Sequence, residues 1–204
     1  IGVVTNTSVI TKAEDDVEIK NIRLIISNIT ENSSDKDWSK EYNFAPDESI
    51  EDIELAPGKY KLVAIASNGS ETSNGFNPVY RGETTEEVIA GETKSAQIEC
   101  KLTTVKVSVE YDQNLKDTYQ TEYKTVVGGV AFSGEEKRAG YIAPGNLSVD
   151  FMFKDNAGSW QTISLDKIAE AKAQEYYKIK ISMKSTEGEG DGSSEGAANI
   201  STKP

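Results

Sequence analysis

The sequence predicts an all-β protein built from two tandem antiparallel β-sandwich modules with one short connecting helix. Three observations carry this expectation. Polar and apolar residues alternate through most of the chain, the period of a strand with one buried face. One turn-and-strand pattern occurs twice, in the same order and at nearly equal offsets. Helical periodicity is confined to one short stretch.

The alternation begins at Val17-Glu18-Ile19-Lys20 and runs on through Ile22, Leu24 and Ile26. Ile53-Glu54-Leu55 leads into Ala56-Pro57-Gly58-Lys59, a tight turn in which proline presets φ and glycine supplies the special backbone. Tyr60 to Ala66 is the return strand, with Tyr60, Leu62, Ala64 and Ala66 on one face. Ala96, Ile98, Cys100 and Leu102 continue the pattern, as do Val105, Val107, Val109 and Tyr111.

The pattern then recurs. Ile142-Ala143-Pro144-Gly145 echoes Leu55-Ala56-Pro57-Gly58, with the Pro-Gly pairs 87 residues apart. Glu175 followed by Ile179, Ile181 and Met183 echoes Glu92 followed by Ala96, Ile98 and Cys100, at an offset of 83. Two anchors at such close offsets predict a duplicated module. The expected boundaries are 1–102, 103–185 and an acidic Gly/Ser-rich tail at 186–204, which composition predicts to be flexible. Leu165 to Lys172 is the expected helix, with Ser164 as its N-cap.

Absences narrow the function. The 204 residues include no histidine, which removes Ser-His-Asp and Cys-His chemistry and most zinc catalysis. Cys100 is the only cysteine, so no intramolecular disulfide forms, and its alternating neighbours mark it as an inward-facing strand residue. A net charge of -12 and mean hydropathy of -0.52 give a polar, acidic surface. Nucleic acid and anionic lipid both need the opposite charge, so neither is an expected partner. No run of 18 apolar residues crosses a membrane as a helix. The chain opens at Ile1 within an extended stretch, which reads as a mature or trimmed chain.

The candidate sites are few. Glu14-Asp15-Asp16 and Asp35-Lys36-Asp37 carry oxygen ligands but do not fit a twelve-residue calcium loop, and read as solvated loops. Asp155-Asn156-Ala157-Gly158 reads as a hairpin turn. No metal, cofactor or catalytic residue is expected. Phe76, Tyr80 and Arg81, after the Gly/Ser/Asn-rich stretch 67–75, form a possible binding loop for glycan or host protein, because tyrosine and arginine favour recognition surfaces. Trp38 and Trp160 are expected as half-buried packing. Six Asn-x-Ser/Thr triplets, at Asn6, Asn28, Asn32, Asn68, Asn146 and Asn199, read as polar surface.

Four stretches carry a resemblance. They are Ser8 to Ala13, Leu55 to Ala64, Glu99 to Val107, and Arg138-Ala139-Gly140-Tyr141. Together they resemble a family of Bacteroidales surface lipoproteins of unknown function, related in architecture to the fimbrillins that build pili. The resemblance implies two transthyretin-like sandwiches, export to the outer membrane or cell surface, and a lipid-modified cysteine that this chain lacks. It implies no known activity and no catalytic residues.

The leading expectation is therefore a non-catalytic structural or adhesive surface protein, such as a fimbrial subunit or accessory protein. Its partners would be other fimbrial subunits, or itself, joined by strand addition. The candidate exchange segments hold Val3, Val4, Val9, Ile10 and Ile200. The alternative is a glycan- or host-protein-binding module. A hydrolase would need two carboxyls about a cleft, within roughly 10 Å.

Overall fold

Burial follows the alternation, and the strands build outward from it. A computed structural model describes residues 3–4, 18–31, 34, 37–48, 50, 52–71, 75–119, 122–183 and 196–203. The chain divides into two compact units: residues 1–72 with 77–103, and residues 73–76 with 104–204. The architecture is all-β, in several sheets, with one helix among the described residues.

The first unit holds β1 (Val3–Val4), β2 (Asn21–Asn28), β3 (Ser39–Phe44), β4 (Gly58–Ser67), β5 (Val79–Val88), β6 (Lys94–Ser95) and β7 (Lys101–Leu102). Its main sheet runs β3-β2-β4-β5-β7, antiparallel throughout. Strand β1 pairs in parallel with β6. In β2, Ile22, Leu24 and Ile26 are buried at every second position. On β4, Tyr60, Leu62, Ala64 and Ala66 are buried, and so are Val63 and Ile65 between them. Both faces of the sheet are thus buried at its centre, and on the second face Val63 and Ile65 cluster with Val79 and Ile25 of the neighbouring strands.

Glycine opens β4 where the chain passes close to Thr30. A Cβ on Gly58 would lie 2.5 Å from Thr30 Oγ1. That oxygen is already committed, accepting the Lys59 N–H at 2.8 Å. Beyond β5, Ala96, Ile98 and Cys100 are buried although the segment is not itself a ladder strand. The Cys100 thiol points to the Ala64 carbonyl at 3.6 Å. Burial, not the neighbouring Glu99, pushes this thiol up to about 11. A thiol so held is an inert hydrophobe at neutral pH.

The second unit holds β8 (Val105–Tyr111), α1 (Gln113–Tyr119), β9 (Tyr123–Val127), β10 (Val130–Ser133), β11 (Gly140–Ile142), β12 (Gly145–Leu147), β13 (Val149–Lys154), β14 (Trp160–Ser164), β15 (Ile168–Ala171), β16 (Tyr176–Met183) and β17 (Gly196–Lys203). One four-stranded sheet has the order β10-β9-β13-β14 and another β11-β8-β16-β17. Their apolar residues meet in one core. It includes Val105, Val107 and Val109 from β8, Ile179 and Ile181 from β16, Phe132 from β10, and Val149 and Phe151 from β13. Tyr111 anchors this core, donating from its buried hydroxyl to the Phe132 carbonyl at 2.7 Å.

The helix is not where the sequence placed it. Residues 168–171 are strand β15, paired with β12, and the helix lies at 113–119. Two backbone facts oppose a helix at 165–172. Glu170 takes φ of 51°, and its N–H bonds Asn146 Oδ1 at 3.0 Å. The core buries Ile168 and Ala171 from an extended backbone. In α1 the capping signal is local: Asp112 Oδ1 accepts the Leu115 N–H at 2.8 Å, and Leu115 is buried.

The end of the expected tail, which holds the candidate exchange residue Ile200, is a strand. Residues 196–203 form β17, whose alternation around Ile200 suits a strand, and the preceding residues 184–195 lie outside the described part.

Candidate functional site

The feature with most functional content is a sheet edge. Strand β16 runs parallel to β8 on one side and antiparallel to β17 on the other. All eight residues of β16 have a partner in β17, from Tyr176 opposite Lys203 to Met183 opposite Gly196. Ile179 and Ile181 of β16 are fully buried. The register sets Ile200 opposite Ile179 and Ala198 opposite Ile181. The seam is therefore a continuous main-chain ladder along β16, the backbone element of strand-addition recognition.

The β8–β16 side of the seam is locked by polar pairs. Ser108 Oγ and the Tyr176 hydroxyl lie 2.9 Å apart. Lys178 Nζ meets Glu110 Oε1 at 2.6 Å. At the start of β16 the Tyr177 hydroxyl donates to Glu175 Oε2 at 2.7 Å. The Glu175 carboxyl is held below its usual range, first by the Lys172 N–H and then by Tyr177. These contacts rigidify β16 without involving β17.

The sequence-predicted site residues are placed as follows. Ile200 lies in β17, at the seam. Val3 and Val4 form β1, paired with Lys94 and Ser95, and so stand in a different sheet. Val9 and Ile10 lie outside the described residues. Phe76, Tyr80 and Arg81 are not one loop. Tyr80 and Arg81 are neighbours in β5, Tyr80 only 3% exposed and Arg81 on the opposite, solvent side. A strand sends successive side chains to opposite faces, so these two cannot contact one ligand together.

Phe76 belongs to the second unit and packs against its core. Its ring meets Phe132 edge-on at 5.6 Å. The Arg138 guanidinium covers it at 4.4 Å from the ring centroid. Arg138 in turn grips Glu136, with Nε at 3.0 Å from Oε1 and Nη2 at 2.8 Å from Oε2. That hydrogen-bonded pair holds the Glu136 carboxyl well down, to about 2 against an ordinary 4.5. A depressed carboxyl stabilises the fold fully above pH 4.5 and loses that contribution as pH falls toward 2. Arg138→Ala is expected to flatten the stability profile across this window, measured by denaturant midpoints at stepped pH.

Open hollows in the described residues are shallow and polar. One, of about 590 Å³, is bordered by Tyr42, Asn43, Asp47 and Glu48. Another, of about 550 Å³, sits beside the β13–β14 hairpin. The described residues hold no group of three metal-ligating side chains and no helix long and apolar enough to cross a membrane.

The fold has solved counterparts. A candidate cell adhesion protein of Parabacteroides distasonis matches over 100% of both chains, at 8% identity and a TM-score of 0.54. Another from Bacteroides eggerthii matches over 98% of this chain and 93% of its own, at 9% identity and a TM-score of 0.50. A candidate polysaccharide-binding protein of Bacteroides thetaiotaomicron covers 89% of this chain and 92% of its own, at 8% identity and a TM-score of 0.51. At such identities the likeness is one of fold. No curated protein matches the sequence. The sequence profile of DUF4493, a domain of unknown function, matches residues 1–202, and the chain belongs to that family.

Proposed function

We propose that this chain is a non-catalytic adhesive protein of the outer cell surface that joins other subunits, or copies of itself, by strand addition at the edge of β16. The single observation that supports this most is the pairing of β17 along the whole of β16. A strand that follows a Gly/Ser/Glu-rich stretch and adds only an outer edge is well suited to replacement by the same strand from another molecule. The exchange swaps like for like, so little is lost once the outgoing strand has left.

The structural neighbours with the better fold matches carry names of candidate adhesion and polysaccharide-binding proteins. Those names agree with a surface role and favour no catalytic one. A lipid anchor, which the sequence resemblance implies, would hold the protein at the outer membrane. Two sandwich modules are proposed along the chain, at 1–102 and 103–185, followed by an acidic Gly/Ser-rich tail at 186–204.

The address and the assembly are tested together. The protein is recovered from the outer-membrane fraction of its own cells, with and without denaturant, and its mass is measured. Lipid-modified species in denaturant-resistant ladders are the expected result. A soluble, unmodified monomer would overturn both the anchor and the assembly.

A further inference from the structure

Trp160 stands on the solvent side of the second unit, 45% exposed. It opens β14, the edge strand of the sheet β10-β9-β13-β14. Residues paired across antiparallel strands share a face, as do positions i and i+2. Trp160 pairs with Lys154, and Lys124 pairs with Met152. Trp160, Lys154, Met152 and Lys124 therefore share the outer face, while Tyr123, Phe151 and Phe153 belong to the inner one.

Both lysines reach the indole. Their ammonium groups lie 4.7 Å (Lys124) and 5.7 Å (Lys154) from the ring centroid. They differ in one respect. Lys154 is neutralised by Glu122, 2.6 Å away. Among the described residues, Lys124 has no carboxylate in ion-pair contact. In a chain of net charge -12, this is an indole beside a cation that no described carboxylate pairs.

Lys154 also borders the 550 Å³ hollow, with Tyr119, Glu122, Asp155 and Asn156 around it. The hollow's walls are preorganised. Tyr119 is wedged against Phe153 at 4.7 Å and Phe151 at 5.8 Å. Asp155 Oδ1 accepts the N–H groups of Ala157 and Ser159 at 2.9 Å each, and its Oδ2 accepts from Gln161 at 2.7 Å. The hairpin thus keeps its shape without a ligand, which lowers the entropy lost on binding.

We infer that the Trp160 face, beside the rigid β13–β14 hairpin, binds an acidic saccharide. A pyranose offers an apolar C–H face to an exposed indole and hydroxyls to flanking polar groups. Its carboxylate meets Lys124, while Lys154 stays paired with Glu122 at the rim of the same face. The charge arrangement selects a uronate-type sugar over a neutral one, because a carboxylate supplies Lys124 with an ion-pair partner that no described carboxylate provides. This site is independent of strand addition at β16, so either stands if the other fails.

The test uses the full chain carrying Trp38→Phe, which leaves Trp160 as its only indole. Indole emission is followed during titration with galacturonate oligosaccharides, with cello-oligosaccharides, and with a polyglutamate peptide. The expected result is a saturable emission shift with the uronate oligosaccharides alone. Affinity falls roughly tenfold in Lys124→Gln, and falls with added salt. Circular dichroism of Lys124→Gln matches the parent. No saturable shift with the uronates overturns the proposal. So does equal binding of the neutral sugar or of polyglutamate, and so does an unchanged affinity in Lys124→Gln.

Discussion

Gly82→Ala lowers the stability of the first unit by about 3 kcal/mol, the upper end for overpacking a dense interior. Gly82 lies in β5 opposite Ala64 of β4. A Cβ there would overlap the Glu99 carbonyl oxygen, and would sit 2.8 Å from both the Glu99 carbonyl carbon and Ile98 Cγ2. Two of these three obstacles are backbone and have no rotamer to adopt. The segment from Ala96 to Cys100 would have to lift from the sheet, exposing Ile98 and Cys100, each now 2% exposed. Guanidinium unfolding of the variant measures the loss. A midpoint equal to the parent's would contradict the close approach of that segment to β5.

Phe132→Ala costs the second unit about 4 kcal/mol, the range for emptying a buried aromatic site. Phe132 is fully buried at the centre of the core. Its ring touches Phe76, and its tip fills the space over Gly140, where a Cβ would lie 2.5 Å from Phe132 Cζ. Gly140 is in β11, so one side chain ties β10 to a strand of the other sheet. The backbone carbonyl of Phe132 keeps its Tyr111 hydroxyl in the variant, so the loss reports packing alone. Phe132→Leu, which refills most of the volume, is expected to recover at least half the loss. Urea unfolding of the three proteins at one pH makes the comparison.

Much of the fold was legible because one-sided burial writes itself as alternation. Ile22, Leu24 and Ile26, or Val105, Val107 and Val109, each point every second residue into a core. The Pro-Gly turns were legible too, and β4 and β12 begin at Gly58 and Gly145. So was the hairpin at Asp155–Gly158, which joins β13 to β14. Strand β5 was harder to see. Its inner face carries Gly82, where the Ile98–Glu99 segment lies close, and then Thr84, so no apolar period survives. At 165–172 the helical look of Ile168-Ala169-Glu170-Ala171 is a local propensity that core burial overrides.

The candidate site was legible only in fragments. Ile200 stood out as one apolar residue in a polar stretch, but its partner Ile179 lies 21 positions earlier. Which strand neighbours which is a long-range matter that no local pattern encodes. The parallel pairing of β8 with β16, across some 70 residues, is of the same kind. Tyr80 misled for a simpler reason: an aromatic beside an arginine looks like a recognition loop until the strand sends one inward.

The claim that β17 is exchangeable between molecules is tested most directly by mixing two single-cysteine proteins. In a Cys100→Ala background, one carries Lys180→Cys and the other Asn199→Cys, positions opposite each other across the β16–β17 seam. Neither can close the seam disulfide within its own chain. The account predicts that, under mild oxidation, the mixture forms the mixed disulfide dimer, one chain of each variant, well above either homodimer. A mixture that yields only monomer, or homodimers and mixed dimer in random proportion, would contradict it.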